Sequence, residues 1–170
     1  MKKFLVTVCF VGLLAGLLTG CGKKEVISKK AFAETVSEYS YQVKDQSKMI
    51  AEGSDLKTVY LAIPKKEDTE KKEESEKVSH AQNQIEFYEF TSEKSGKEHF
   101  KKLSDELVAA YKNEKGYETN ETSVKNGEMR VVETEKQYYR LSRIEDTLVV
   151  GIAPKEQQKD CEKILNDLGY

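Results

Sequence analysis

Several kinds of residue are scarce in this chain of 170 residues, and each shortage excludes a class of site. The chain has two histidines, His80 and His99, so a histidine-rich metal site cannot form. Its ten glycines are scattered and form no phosphate-binding fingerprint. A Gly-x-Ser-x-Gly motif, which would indicate a hydrolase nucleophile, is missing as well. We therefore expect no catalytic constellation, no cofactor and no metal.

An excess of either charge is also missing. The chain has 28 basic and 30 acidic residues, which gives a net charge of −2 at pH 7. A nucleic-acid-binding domain usually carries a basic face, and no basic cluster of that kind is present. We expect no nucleic-acid partner.

The longest apolar run lies at the N-terminus. Lys2 and Lys3 precede a stretch from Phe4 to Leu18 in which Thr7 is the clear polar interruption. About 20 apolar residues are needed to cross a bilayer, so this run fits an export signal better than a permanent membrane span. It ends in the four residues Leu18-Thr19-Gly20-Cys21.

These features together resemble the lipobox signal of bacterial lipoproteins. The resemblance implies that residues 1–20 are a signal peptide and that cleavage precedes Cys21, which would carry a diacylglyceryl group. Residues 21–27 would be a lipidated tether, and the domain would lie on the extracytoplasmic face of the cell membrane. The alternative is an uncleaved anchor or an ordinary secretory signal, in which Cys21 is incidental.

The three cysteines then have separate fates. Cys9 leaves with the signal peptide and Cys21 carries lipid, so Cys161 has no partner for an intramolecular disulfide. Cys161 shares a helical stripe with Ile164, Leu165 and Leu168, which predicts a buried position. A reactive or dimerising thiol is the alternative.

Apolar periodicity predicts one α+β domain over residues 28–170. Helices are expected from about Ser28, from Ser92 or Ser95, and from Pro154 to Gly169. Strands are expected at 41–43, 57–63, 84–90, 117–124, 128–133, 137–144 and 147–152. The Asn126-Gly127 pair is typical of a type I′ hairpin turn, so the pairing should be antiparallel. We expect a two-layer sandwich of a mainly antiparallel sheet with amphipathic helices, and the element order suggests two related helix-plus-strands units.

One segment is too charged to fold. Residues 65–79 contain a single apolar side chain, Val78, and we expect a disordered, solvated insertion. Acidic residues in it could suggest a cation site, but interleaved lysines neutralise them and no calcium-loop spacing is present.

Five residues on predicted strands are candidates for an interaction site. Tyr88, Tyr138 and Tyr139 would form an aromatic platform for a peptide or glycan if exposed, and Arg140 and Arg143 would bind a carboxylate if they flanked a cleft. Alternatively, these side chains belong to the core and to the polar side of a strand. The sequence thus favours a lipid-anchored envelope module that binds a protein or glycan. The alternative is a small envelope enzyme with a carboxylate-based site.

Overall fold

The computed structural model describes residues 23–65 and 83–170. The predicted signal peptide, Cys21, His80 and nearly all of the charged insertion lie outside these ranges. The helices are α1 (Lys29–Glu38), α2 (Glu93–Tyr111) and α3 (Gln158–Asp167). The strands are β1 (Tyr41–Asp45), β2 (Leu56–Pro64), β3 (Gln84–Phe90), β4 (Glu118–Val124), β5 (Gly127–Glu133), β6 (Gln137–Ile144) and β7 (Thr147–Pro154). Neither range contains a helix long and apolar enough to cross a membrane.

The seven strands form one antiparallel sheet in the order β1-β2-β3-β7-β6-β5-β4. Strands β1 to β3 make one meander and strands β4 to β7 make a second. The two meanders join where β3 pairs with β7, so β1 and β4 are the edge strands of the described sheet. The antiparallel pairing expected from the short connections is confirmed.

Helices lie on both faces of the sheet. On one face, α1 and α3 cover a core that includes Phe32, Val36, Ile85, Phe87, Val149, Cys161, Ile164 and Leu165. On the other face, α2 covers a smaller core of Phe90, Phe100, Leu141, Leu148 and Val150. The two-layer arrangement is therefore not confirmed. Helices lie on both faces because strand β7 is apolar on both faces, and each of its faces must be covered.

Two helix-plus-strands units are visible along the chain, but they are not equivalent. Helix α1 precedes three strands and α2 precedes four, and the two helices pack on opposite faces of the sheet.

Two helices begin where serine caps them. The Ser28 Oγ accepts the main-chain N–H of Ala31 at 3.2 Å, and the Ser92 Oγ accepts that of Ser95 at 3.1 Å. The last helix begins later than predicted, because Pro154 ends β7 and a 3-10 turn over Lys155–Gln157 precedes α3.

The turn between β4 and β5 also differs from the prediction. Lys125 and Asn126 occupy the turn, Gly127 is the first residue of β5, and Asn126 does not have the positive φ that a type I′ turn requires. Gly127 serves a different purpose, since a Cβ there would lie 2.5 Å from the carbonyl oxygen of Arg143. The glycine permits close approach of β5 and β6.

Candidate functional site

Most of the residues predicted for an interaction site are buried. The exposed fractions are 1% for Tyr138, 6% for Tyr139, 8% for Arg140 and 4% for Arg143, so these side chains do not form an exposed platform. Tyr138 belongs to the core under α1 and α3. The ring of Tyr139 packs on Tyr111 of α2 with centroids 4.7 Å apart. Tyr138 and Tyr139 therefore lie in the core of the domain.

Tyr88 is half-buried beside α2. Its hydroxyl donates to Glu86 Oε2 at 2.5 Å, and its ring lies beside those of Phe90 and His99. Burial lowers the pKa of His99, and Lys102 lowers it further. The ring centroids of His99 and Phe90 are 5.0 Å apart, so we interpret His99 as a packing residue of α2.

The two arginines of β6 act within the fold. Arg140 donates to Asn166 Oδ1 at 2.9 Å and to the main-chain oxygen of Tyr170. Arg143 donates to the main-chain oxygen of Glu145 at 2.7 Å. Their odd sequence separation places the two side chains on opposite faces of β6, so they do not grip one carboxylate together.

A groove lies between α2 and the β4–β5 hairpin. Its volume is about 460 Å³. It is lined by Lys97, Glu98, Phe100, Lys101, Ser104, Asp105, Glu121, Glu128 and Arg130. Arg130 joins the elements around it, because its Nε donates to Ser104 Oγ on α2 at 3.0 Å while its Nη2 donates to Glu121 on β4. The groove therefore has a wall fixed by side-chain hydrogen bonds.

Every acidic side chain of this groove is close to a cation. The pairs are Glu98 with Lys94, Asp105 with Lys101, Glu121 with Arg130, and Glu128 with Lys97 and Arg143. Such paired carboxylates are typical of structural ion pairs rather than of acid–base catalysis. Within residues 23–65 and 83–170, no cluster of three His, Cys, Asp or Glu side chains could hold a metal ion.

Strand β4 forms the open rim of this groove. Its seven residues pair with β5 in an uninterrupted register from Glu118 opposite Glu133 to Val124 opposite Gly127. All of them are exposed except Val124, which is half-buried. Natural edge strands are often protected by charged side chains, especially lysine, by proline or by a bulge; β4 has no lysine, proline or bulge, and its charged residues are Glu118 and Glu121. Strand β4 is therefore regular, and the side of it that faces away from β5 is an edge of the described sheet.

The main-chain groups on that edge follow from the pairing. In an antiparallel ladder, residues bonded to the neighbour alternate with residues whose N–H and C=O point away. The hairpin closes at Val124, so the outward groups belong to Thr119, Glu121 and Ser123. The Thr119 Oγ1 donates to the Val131 carbonyl at 2.9 Å, which places that carbonyl toward β4 as this ladder requires.

Acidic side chains flank this open edge on both faces. Glu121 lies on the α2 face. On the α3 face, a second groove of about 420 Å³ contains Glu118, Glu133 and Glu162. Glu133 is bound by Lys155 and Gln158, whereas Glu118 at the start of β4 is exposed. Among residues 23–65 and 83–170, none pairs with the outward peptide groups of this edge, which lie beside negative charge.

The sequence predicted this strand but not its role. The available signal was composition, because Glu118 to Ser123 are all polar, and a strand without an apolar face indicates an edge. No protein-family model matches this chain, and comparisons with curated proteins and with solved structures give no significant match.

Proposed function

We propose that this protein is a lipid-anchored binding module on the extracytoplasmic face of the membrane, and that β4 captures an extended polypeptide segment with basic side chains. The observation that carries the proposal is the regular, exposed edge of β4, which pairs with β5 on one side. The lipobox resemblance at Leu18-Thr19-Gly20-Cys21 supports the anchor.

The row of peptide groups favours a polypeptide over a glycan. Outward N–H and C=O groups recur every second residue, about 7 Å apart, which is the repeat of another β-strand. An added strand would form main-chain hydrogen bonds with Thr119, Glu121 and Ser123 and extend the sheet. A glycan has no matching repeat of alternating donors and acceptors.

Charge favours a basic segment over a second copy of this chain. Glu118 and Glu121 are both exposed on β4, and Glu121 also pairs with Arg130, so the carboxylate that lysine or arginine on an added strand would meet is mainly that of Glu118. Two β4 strands paired with each other in an antiparallel way would bring their Glu121 side chains close together. Like charges in such positions destabilise the pairing, so we expect no self-association through this edge.

The groove beside α2 would receive side chains from one face of the added strand. Arg130 is engaged with Ser104 and Glu121, and Glu128 lies between Lys97 and Arg143. These ion pairs leave little unbalanced charge at the bottom of the groove. We therefore assign affinity to the main-chain edge and selectivity to the charges around it.

Binding can be tested with a short fluorescein-labelled peptide of alternating lysine and valine, the basic probe peptide. Ser123→Pro removes one outward N–H, whereas Ser123→Ala keeps it. We expect the proline variant to weaken binding about tenfold, the effect of losing about 1.4 kcal/mol, and the alanine variant to bind normally. Fluorescence anisotropy measures the dissociation constant of the basic probe peptide for each variant.

Two controls complete this test. A probe with glutamate in place of lysine should bind much more weakly, and Glu121→Lys should weaken the basic probe peptide more than Glu135→Lys, a change at the distant β5–β6 turn. Equal binding of the proline and alanine variants, with both folded by circular dichroism, would contradict recognition through β4.

A further inference from the structure

The first described residues, Lys23 to Ile27, lie against the domain and do not form a free tether. We call residues 23–27 the N-terminal strap. The Lys24 main-chain N–H donates to Asn126 Oδ1 at 2.9 Å, and Asn126 Nδ2 donates back to the Lys24 carbonyl at 2.8 Å. Ile27 packs against the core under α1 and α3. The strap is held at both its ends.

Glu145 strengthens this attachment. Its carboxylate lies 2.7 Å from the Lys23 Nζ and accepts Asn126 Nδ2 at 3.2 Å, while its main-chain N–H donates to the Asn126 carbonyl at 2.9 Å. Its φ of 51° is uncommon for a residue other than glycine, asparagine or aspartate. Glu145 lies in the turn between β6 and β7, and in this conformation it contacts both Lys23 and Asn126.

The strap fixes which end of the sheet lies nearest Cys21. One residue, Gly22, separates Lys23 from Cys21, so the Cα atoms of Lys23 and Cys21 are at most about 7 Å apart. Lys23 and Lys24 contact the turns that join β4 to β5 and β6 to β7, and both turns lie at one end of the sheet. We call this the turn end. A lipid on Cys21 would sit directly beside it.

Exposed apolar side chains at the turn end also favour a lipid bilayer as the partner of this end. In the described parts of the chain, the exposed large apolar residues are Val26, at 40% exposure, and Met49, at 83%. Val26 belongs to the strap. Met49 lies in the connection between the end of β1 and the start of β2, which is at the same end of the sheet. Apolar side chains of this kind enter the headgroup region of a bilayer.

The charges at the turn end are compatible with lipid phosphates. Glu145 is paired with Lys23, and the Asp146 carboxylate lies 3.8 Å from the Lys57 Nζ. Lys125, in the β4–β5 turn, is exposed. Glu145 and Asp146 are thus balanced by lysines, whereas Glu25 of the strap is exposed.

We infer that the strap fixes the domain on the phospholipid surface with the turn end facing the headgroups. This inference rests on the proposed lipidation of Cys21. The β5–β6 turn near Lys136 would then face away from the membrane, as would Pro64 at the end of β2 and Gln84 at the start of β3. The β4 edge would stand beside the bilayer, with Val124 nearest to it.

Fluorescence quenching tests this orientation on the full lipidated protein. Lys125→Cys and Lys136→Cys place a thiol in turns at opposite ends of β5, about 20 Å apart. Each is labelled with a fluorophore in the native state, where Cys161 is buried. The protein is reconstituted in vesicles of phosphatidylethanolamine and phosphatidylglycerol that contain a headgroup spin-labelled lipid. We expect several-fold stronger quenching at position 125.

The same sample separates the two proposals. Intact-mass measurement shows whether Cys21 carries lipid, and absence of lipid would contradict the anchor and this inference with it. A lipidated protein with equal quenching at both positions, or stronger quenching at position 136, overturns the orientation alone. Asn126→Ala removes the amide that binds the strap and should reduce the difference in quenching at least twofold.

Discussion

At the scale of single residues, α3 packs tightly on β7 at Gly151. A Cβ on Gly151 would lie 2.6 Å from the Leu165 Cδ1 and 2.8 Å from the Cys161 Sγ. A side chain at position 151 would therefore require Leu165 and Cys161 to shift, and glycine lets α3 pack this close to β7 without that shift. The same contact covers the Cys161 thiol, whose side chain has no exposed surface.

We predict that Cys161 is an unreactive thiol in the folded protein. Burial raises its pKa to about 12, and only the thiolate is nucleophilic. An ordinary cysteine, with a pKa of about 8.5, reacts faster as the pH rises from 7 to 9. Labelling of Cys161 should stay slow across this range and become fast in urea. Rapid labelling of the folded protein at pH 7, located by mass spectrometry, would restore the reactive-thiol interpretation.

Residue burial was predictable where its cause is local. Cys161, Ile164, Leu165 and Leu168 repeat at helical spacing, and all four are buried as predicted. The role of Arg140 was not predictable, because its partners Asn166 and Tyr170 lie far along the sequence.

At the scale of elements, the positions of helices and strands followed from the sequence more closely than their arrangement. The spans 84–90 and 137–144 agree with β3 and β6, because turn residues bound them on both sides. The covering of both sheet faces was not predicted. A short apolar run such as Leu148 to Ala153 does not show how many layers cover it.

The connection between β2 and β3 gives a prediction at this scale. The two strands pair from Leu56 opposite Phe90 to Ala62 opposite Ile85, and their buried residues already belong to the core. Deleting residues 66–77 shortens the loop and should stabilise the folded state by about 1 kcal/mol at most. We expect the melting temperature in calorimetry to change by no more than about 4 °C. A larger decrease would mean that the deleted segment packs on the domain.

The candidate site belongs to the scale of the whole molecule, because no single element contains it. Helix α2 and the strands β4 and β5 were each predicted from local patterns. The groove arises because Arg130 of β5 reaches both Ser104 and Glu121. The open edge of β4 arises from the order of all seven strands, which composition and periodicity do not specify.

At the same scale, the strap and the edge complement each other. The strap would hold the domain close to the bilayer, and β4 runs from the far end of the sheet toward the turn end. An extended segment of a neighbouring envelope protein would therefore approach the β4 edge along the membrane surface. Confinement to one surface raises the effective concentration of both partners, so a weak edge interaction would suffice.

Amide hydrogen exchange along β4, followed by NMR, tests the binding account most directly. In the free protein, the amides of Thr119, Glu121 and Ser123 should exchange fast, while those of Asn120, Thr122 and Val124 exchange more slowly because they bond to β5. Saturating basic probe peptide should slow the first three at least tenfold. Unchanged exchange at these three amides with the peptide bound would contradict the claim that β4 is the binding edge.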